Sequence, residues 1–210
     1  MIVITKRKRK TILLSVLTVA LCAVIALICN SCFGRDKGEI SAEMLSDCEM
    51  PDFVMADYID IGSARTAKPL KSINNIVIHY VGNPDTTAKQ NRSYFNNPGT
   101  TVCSHFIVGL DGEILQCVPL NEQSVASNHR NGDTVSIEVC HPDITGKFNE
   151  ETYNSLVKLV AWLCNNSELS ENDLIRHHDI TGKQCPKYFV DFPEEWEQFK
   201  IDVGQQIIKQ

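Results

Sequence analysis

From Asn74 onward the sequence alternates short apolar runs with stretches of helical period, a pattern that restricts the chain to a sheet packed by helices. Ile76, Val77 and Ile78 form a run of strand type that ends at His79 and is followed by the breakers Gly82, Asn83 and Pro84. Thr86 to Asn97 reads as a helix stopped by Pro98 and Gly99. Two strand segments, His105 to Leu110 and Glu113 to Pro119, flank Asp111-Gly112, a pair that predicts a two-residue primed turn in a β-hairpin. Thr134 to Cys140 is a further strand, in which Glu138 points away from Ile137 and Val139. Asn149 can cap a helix from Glu150 to Asn165, with Phe148 and Tyr153 arranged as a hydrophobic staple. Leu156, Val157, Val160, Leu163 and Cys164 form the core stripe of that helix. A last helix covers Glu194 to Ile208, anchored by Trp196, Phe199 and Ile201. The expected fold is an α/β (α+β) single domain with a central mixed β-sheet packed by helices; strand order cannot be read from the pattern.

The first residues are of another kind. Lys6, Arg7, Lys8, Arg9 and Lys10 precede an apolar run from Ile12 to Cys29 broken only by Ser15 and Thr18. Such a run approaches the ~20 residues that span a bilayer and exceeds the ~7–15 of a cleavable signal. An uncleaved membrane anchor within residues 1–32 is expected, with a signal cut near Asn30 or Ser31 as the alternative. Cys22 and Cys32 sit in poor surroundings for lipidation. The basic cluster stays in the cytoplasm by the positive-inside rule, which makes the rest extracytoplasmic and membrane-anchored, or secreted if the segment is cut. Residues 33–72 are polar and mixed in charge, as suits an extracytoplasmic linker followed by an arm lying on the domain, leaving 73–210 as the folded domain.

Without the five basic residues at positions 6–10, the chain carries 15 Lys and Arg against 26 Asp and Glu, a formal net charge of −11. That sign excludes nucleic acid as a partner. With 43% hydrophobic residues the domain can build its own core, so the nine cysteines need not be staples. Export would permit disulfides among Cys48, Cys103, Cys117, Cys140 and Cys164, but no spacing marks a framework, and most read as small buried hydrophobes. A monomer is expected.

The densest group of reactive side chains is Arg176-His177-His178-Asp179-Ile180-Thr181-Gly182-Lys183-Gln184-Cys185-Pro186. Zinc takes imidazole nitrogen and thiolate sulfur, and a catalytic site uses three protein ligands and keeps a fourth position open. This loop can supply two ligands, and His79, at the end of a buried strand, is the best source of the third. Periodicity cannot separate His177 from His178. Cys140 and His141 form a rival pair, but adjacent strand residues face opposite ways and hold one ion poorly.

IVIHYVGNP around His79, SHFIVGLDGEI from Ser104, SIEVC from Ser136 and RHHDITGKQCP from Arg176 resemble, in order, the blocks of the zinc-dependent N-acetylmuramoyl-L-alanine amidases, a fold shared by phage lysozyme-like amidases, autolysins and peptidoglycan recognition proteins. The resemblance covers about residues 73–200. It implies hydrolysis of the amide between N-acetylmuramic acid and L-alanine, with peptidoglycan as substrate and Zn2+ as cofactor. His79, His177 and Cys185 match the family's ligands, His177 being chosen because the family's cysteine lies eight positions after its histidine. Glu138 matches the catalytic base, Lys183 the catalytic lysine and His129 a substrate-contacting histidine of the groove wall. His105 is read as packing. One departure stands out: some phage members carry an assisting tyrosine where this chain has Ser104, which moves the acid–base step onto Glu138. The rival readings are a peptidoglycan-binding receptor without catalysis, and a zinc ion that only stabilises the fold.

Overall fold

The computed structural model describes residues 37–62 and 64–209. Within them lie a six-stranded sheet and six helices: α1 (Lys37–Ser46), β1 (Val54–Ala56), β2 (Asn75–Tyr80), α2 (Ala88–Phe95), β3 (Phe106–Val108), β4 (Ile114–Gln116), β5 (Thr134–Val139), α3 (Glu150–Asn165), β6 (Leu174–Arg176), α4 (His177–Thr181), α5 (Lys187–Asp191) and α6 (Pro193–Lys209). The strand order is β1-β4-β3-β5-β2-β6. Only β3 and β4 pair antiparallel, so the sheet is mixed, as the sequence predicts.

The near-continuous apolar run of β2 follows from its place between β5 and β6, where both faces are covered. Ile76 and Ile78 join Phe106, Val108, Val135, Ile137 and Val139 on one face, against Leu156, Leu159 and Val160 of α3 and Phe199 and Val203 of α6. Asn149 caps α3 by accepting from the Thr152 amide at 2.8 Å. On the other face, Ile107 and Leu115 pack with Ala88 and Phe95 of α2 and with Cys103, Cys117 and Cys140. Alternation then carries His79 and Glu138 onto that second face, opposite the two long helices.

Three sequence expectations change. Within residues 33–72, read as linker and arm, the part from Lys37 onward supplies α1 and the edge strand β1, paired with β4; Leu45, Leu70 and Ile73 enter the core, and Lys37–Gln210 form one compact unit. Neither leaves a clear apolar pattern: α1 buries Ser41, Ala42 and Leu45, only one of them a large apolar side chain, and β1 buries Val54 alone. The hairpin closes with three residues rather than two: Gly109 N–H donates to the Glu113 carbonyl at 2.8 Å, and among the loop residues Leu110, Asp111 and Gly112 only Gly112 has a positive φ, of 78°. That is a type I turn followed by a left-handed glycine, whereas a primed type I turn needs positive φ at two positions. Ile201 is 51% exposed, and Val203 replaces it in the core because positions 196, 199 and 203 share one helical face. All six described cysteines are free. No helix among the described residues is long and apolar enough to cross a membrane; the basic cluster, the run from Ile12 to Cys29 and the sites at Cys22 and Cys32 lie outside them.

His105 is packing, as expected. Its Nδ1 accepts from the Ser136 amide at 3.0 Å and its Nε2 donates to the Glu122 carbonyl at 2.9 Å. Burial pushes its pKa down to about 4, outweighing the carbonyl that favours the cation. An unfolded histidine titrates near 6.5, so His105 supports folding fully above that pH and loses its contribution as the pH falls towards 4. Between pH 7 and 5 the wild type should lose about 2 kcal/mol more stability than His105→Gln. Urea titrations of both proteins across that range check the difference; parallel pH profiles would refute it.

Candidate metal centre

Parallel, in-register pairing of β2 with β5 sets His79 beside Glu138, and β3 sets Ile107 against Glu138 on its other side. Both polar side chains stand near the carboxyl ends of their strands, the usual place for ligands in open parallel sheets. On the far side of β2, strand β6 runs directly into α4, whose first residue is His177. Arg176 fixes that junction, with Nη1 donating to the Phe189 carbonyl at 2.9 Å and Nη2 to Asp179 at 2.7 Å. Gly182 ends α4 in the left-handed conformation, φ 76°, and turns the chain back so that the Cys185 carbonyl accepts from the His178 amide at 2.9 Å.

This return separates the two adjacent histidines. His177 is buried with its ring centroid 4.7 Å from that of His79. His178 instead makes a 3.1 Å hydrogen bond from Nδ1 to the Lys183 carbonyl and braces the loop. Cys185 Sγ lies 3.9 Å from His79 Nδ1, and the donor atoms of His79, His177 and Cys185 all fall within 4.8 Å of one another. Among the described residues they are the trio that could hold a metal ion. Bonds of ~2.0–2.3 Å in a tetrahedron set donor separations of roughly 3.4–3.8 Å, so the trio needs only a small contraction.

Electrostatics points the same way. Burial holds His79 well below the usual imidazole range, helped by His177 and Lys183, and lowers His177 as well. Burial pushes the Cys185 thiol up to about 12, reinforced by Glu138 and opposed by the Tyr80 amide and Lys183. Glu138 is pushed up to about 8 by the same cause, against the pull of Lys183, and its Oε2 is buried without a hydrogen-bond partner. Two neutral imidazoles and a thiol that ionises only with help make a donor set suited to a soft divalent cation.

His79, His177, Glu138 and Lys183 share one cavity of about 590 Å³, whose lining also includes Tyr94, Phe95, Val102 and Val125. Of the other sequence-derived site residues, Cys185 is buried and reaches the histidines without lining the cavity, and His129 is exposed and does not line it. Its neighbour Asn128 does, and its Oδ1 is 2.8 Å from His177 Nε2. Asn128 was not foreseen; the available signal was an asparagine, which tolerates left-handed backbone, in a polar loop. Ser127 Oγ lies 3.5 Å from His79 Nε2. Ser104 is buried and donates to the Phe106 carbonyl at 2.7 Å, outside the cavity lining. Cys140 and His141 diverge: Asn91 Nδ2 reaches the Cys140 sulfur at 3.6 Å, while His141 stacks on Tyr80 and bonds the Asp143 carbonyl.

Residues 69–188 match the family model described as N-acetylmuramoyl-L-alanine amidase. The N-acetylmuramoyl-L-alanine amidase CwlL of Bacillus licheniformis is 27% identical over 170 residues, covering 71% of this chain and 46% of that protein. BlyA of Bacillus subtilis (strain 168), which bears the same description, is 27% identical over 165 residues, covering 68% and 44%. The chain thus spans about half the length of these curated relatives. Among solved structures, the catalytic domain of XlyA superposes with a TM-score of 0.63 at 26% identity, covering 72% of this chain and 99% of that one. The structure of PlyL, at 18% identity and a TM-score of 0.61, shares the fold.

The trio should bind one zinc ion. At neutral pH binding should release about one proton, from Cys185, and zinc at 1,000 times its Kd should add about 4 kcal/mol to stability. Calorimetry in buffers of different ionisation heat counts the proton. Cys185→Ser should remove most of the stabilisation, and equal zinc affinity in that variant would rule out the trio.

Proposed function

The chain belongs to the N-acetylmuramoyl-L-alanine amidase family, and on that premise we propose that it hydrolyses the amide between the lactyl group of N-acetylmuramic acid and L-alanine in peptidoglycan, with zinc held by His79, His177 and Cys185. The observation that carries this reading is that Glu138 and Lys183 line the same cavity as His79 and His177, two members of the trio that Cys185 completes. Bound zinc supplies Lewis acidity at the scissile carbonyl and acidifies a water.

Glu138 does the proton work. Its unpartnered Oε2 is free to take a proton from water and return it to the departing alanine nitrogen, and burial already holds its pKa near the pH at which it must do both. Lys183 lines the cavity as a cation and stabilises the oxyanion of the tetrahedral intermediate. With Ser104 buried against the Phe106 carbonyl, no side chain at that position competes for the acid–base role. Retention of Cys185 weighs against a receptor that binds peptidoglycan without cutting it.

We also place the domain outside the cytoplasmic membrane, tethered near the wall, on the strength of the basic cluster at positions 6–10 and the apolar run that follows. Protease accessibility of the domain in intact cells is the test; complete protection would place it in the cytoplasm.

With the full chain, zinc and purified peptidoglycan, new N-terminal alanine should appear and chelation should stop it. Glu138→Ala should lower kcat about 100- to 10,000-fold and Lys183→Ala about 100- to 1,000-fold, with zinc still bound. Mass spectrometry of the released fragments identifies the bond cut, and cleavage elsewhere, or full activity in Glu138→Ala, would sink the mechanism.

A further inference from the structure

The side chains that aim the two histidines come from one loop. Between β4 and β5 the chain makes a short 3-10 turn, Asn128–Arg130, and Ser127 and Asn128 at its start face His79 and His177 respectively. Asn128 stands in left-handed backbone, φ 55°, a region that side chains other than asparagine, aspartate and glycine rarely enter. Its surroundings hold it there. Asn131 Oδ1 accepts from the amides of Ala126 and Ser127 at 3.2 and 2.6 Å, and Arg130 Nη2 donates to Asn75 Oδ1 at 2.7 Å, tying the turn to the start of the strand that carries His79.

The ring of His177 donates its Nε2 hydrogen to Asn128 Oδ1 at 2.8 Å, which fixes the tautomer and leaves Nδ1 as the nitrogen with a free lone pair. His79 repeats the arrangement, with Nε2 towards Ser127 and Nδ1 towards the Cys185 sulfur. We propose that Asn128 is the positioning residue of this metal centre, its side-chain oxygen orienting His177 for the ion, with Ser127 supporting His79. This rests on the zinc-site reading above. Partners of this kind typically govern metal affinity by 10- to 100-fold.

Two substitutions separate the side chain from the backbone. Asn128→Gly keeps the left-handed conformation and removes the acceptor; Asn128→Asp keeps both. In competition with a chromophoric chelator, Asn128→Gly should bind zinc about 10- to 100-fold more weakly, with altered cobalt absorption bands and an unchanged melting temperature of the metal-free protein. Asn128→Asp should restore tight binding and the wild-type cobalt spectrum. Wild-type affinity and spectrum in Asn128→Gly would overturn the proposal. So would nitrogen-15 NMR of the wild-type zinc form showing His177 ligated through Nε2, a result that does not depend on any variant folding. A wild type that binds no zinc would overturn the site reading and this role together, whereas zinc binding without amide hydrolysis would leave the role of Asn128 standing and remove only the enzymatic reading.

Discussion

The in-register pairing of β2 with β5 is the constraint on which the rest of this protein depends. It places His79 opposite Glu138. A slip of one residue would turn every side chain of one strand to the other face and send one of the two into the helix-packed core. The register is held because Ile76, Ile78, Val135, Ile137 and Val139 must all meet α3 and α6 on the opposite face. Hydrophobic burial on one side of the sheet therefore fixes polar geometry on the other. The same strand then organises its second neighbour, since β6 pairs with β2 and delivers His177 at the start of α4.

That geometry has an electrostatic consequence. Two histidines, a cysteine and a glutamate gathered and buried at one site cannot all keep their ordinary protonation states, because burial disfavours each charged form. His79 and His177 are driven neutral, Cys185 and Glu138 towards their protonated forms, and Lys183 is the neighbouring cation that opposes the last two shifts. Such a group gains most from a divalent cation, which reverses the sense of the shift at the cysteine. The loop that carries Ser127 and Asn128 completes the arrangement by partnering the Nε2 atoms of the two rings.

Much of this was legible beforehand, though unevenly. α3 and its Asn149 cap were readable because long amphipathic helices repeat their signal several times. β2 was readable because a strand buried on both faces leaves a continuous apolar run. α1 and β1 were not, because the first buries one large apolar side chain, Leu45, beside Ser41 and Ala42, and the second buries Val54 alone, so neither shows an apolar face in the sequence. Ile201 was misplaced because a hydrophobic residue near a stripe is not necessarily on it. Asn128 has no signal in the sequence because an asparagine in a polar loop has no pattern around it, whereas the adjacent His129 is a residue type that chemistry commonly uses.

The linear chain alone determined the candidates: which residues could bind or catalyse, their order in four blocks, the strand-and-helix alternation and the basic, apolar start. These are properties of residue type and local period. Only the tertiary structure decided which candidates meet. It separated His177 from His178 through the turn at Gly182, brought Cys185 to His79, kept His129 outside the cavity and put Asn128 in its place. The physical reason is that a site spread over positions 79 to 185 is assembled by strand register and loop closure, which depend on contacts distant in sequence.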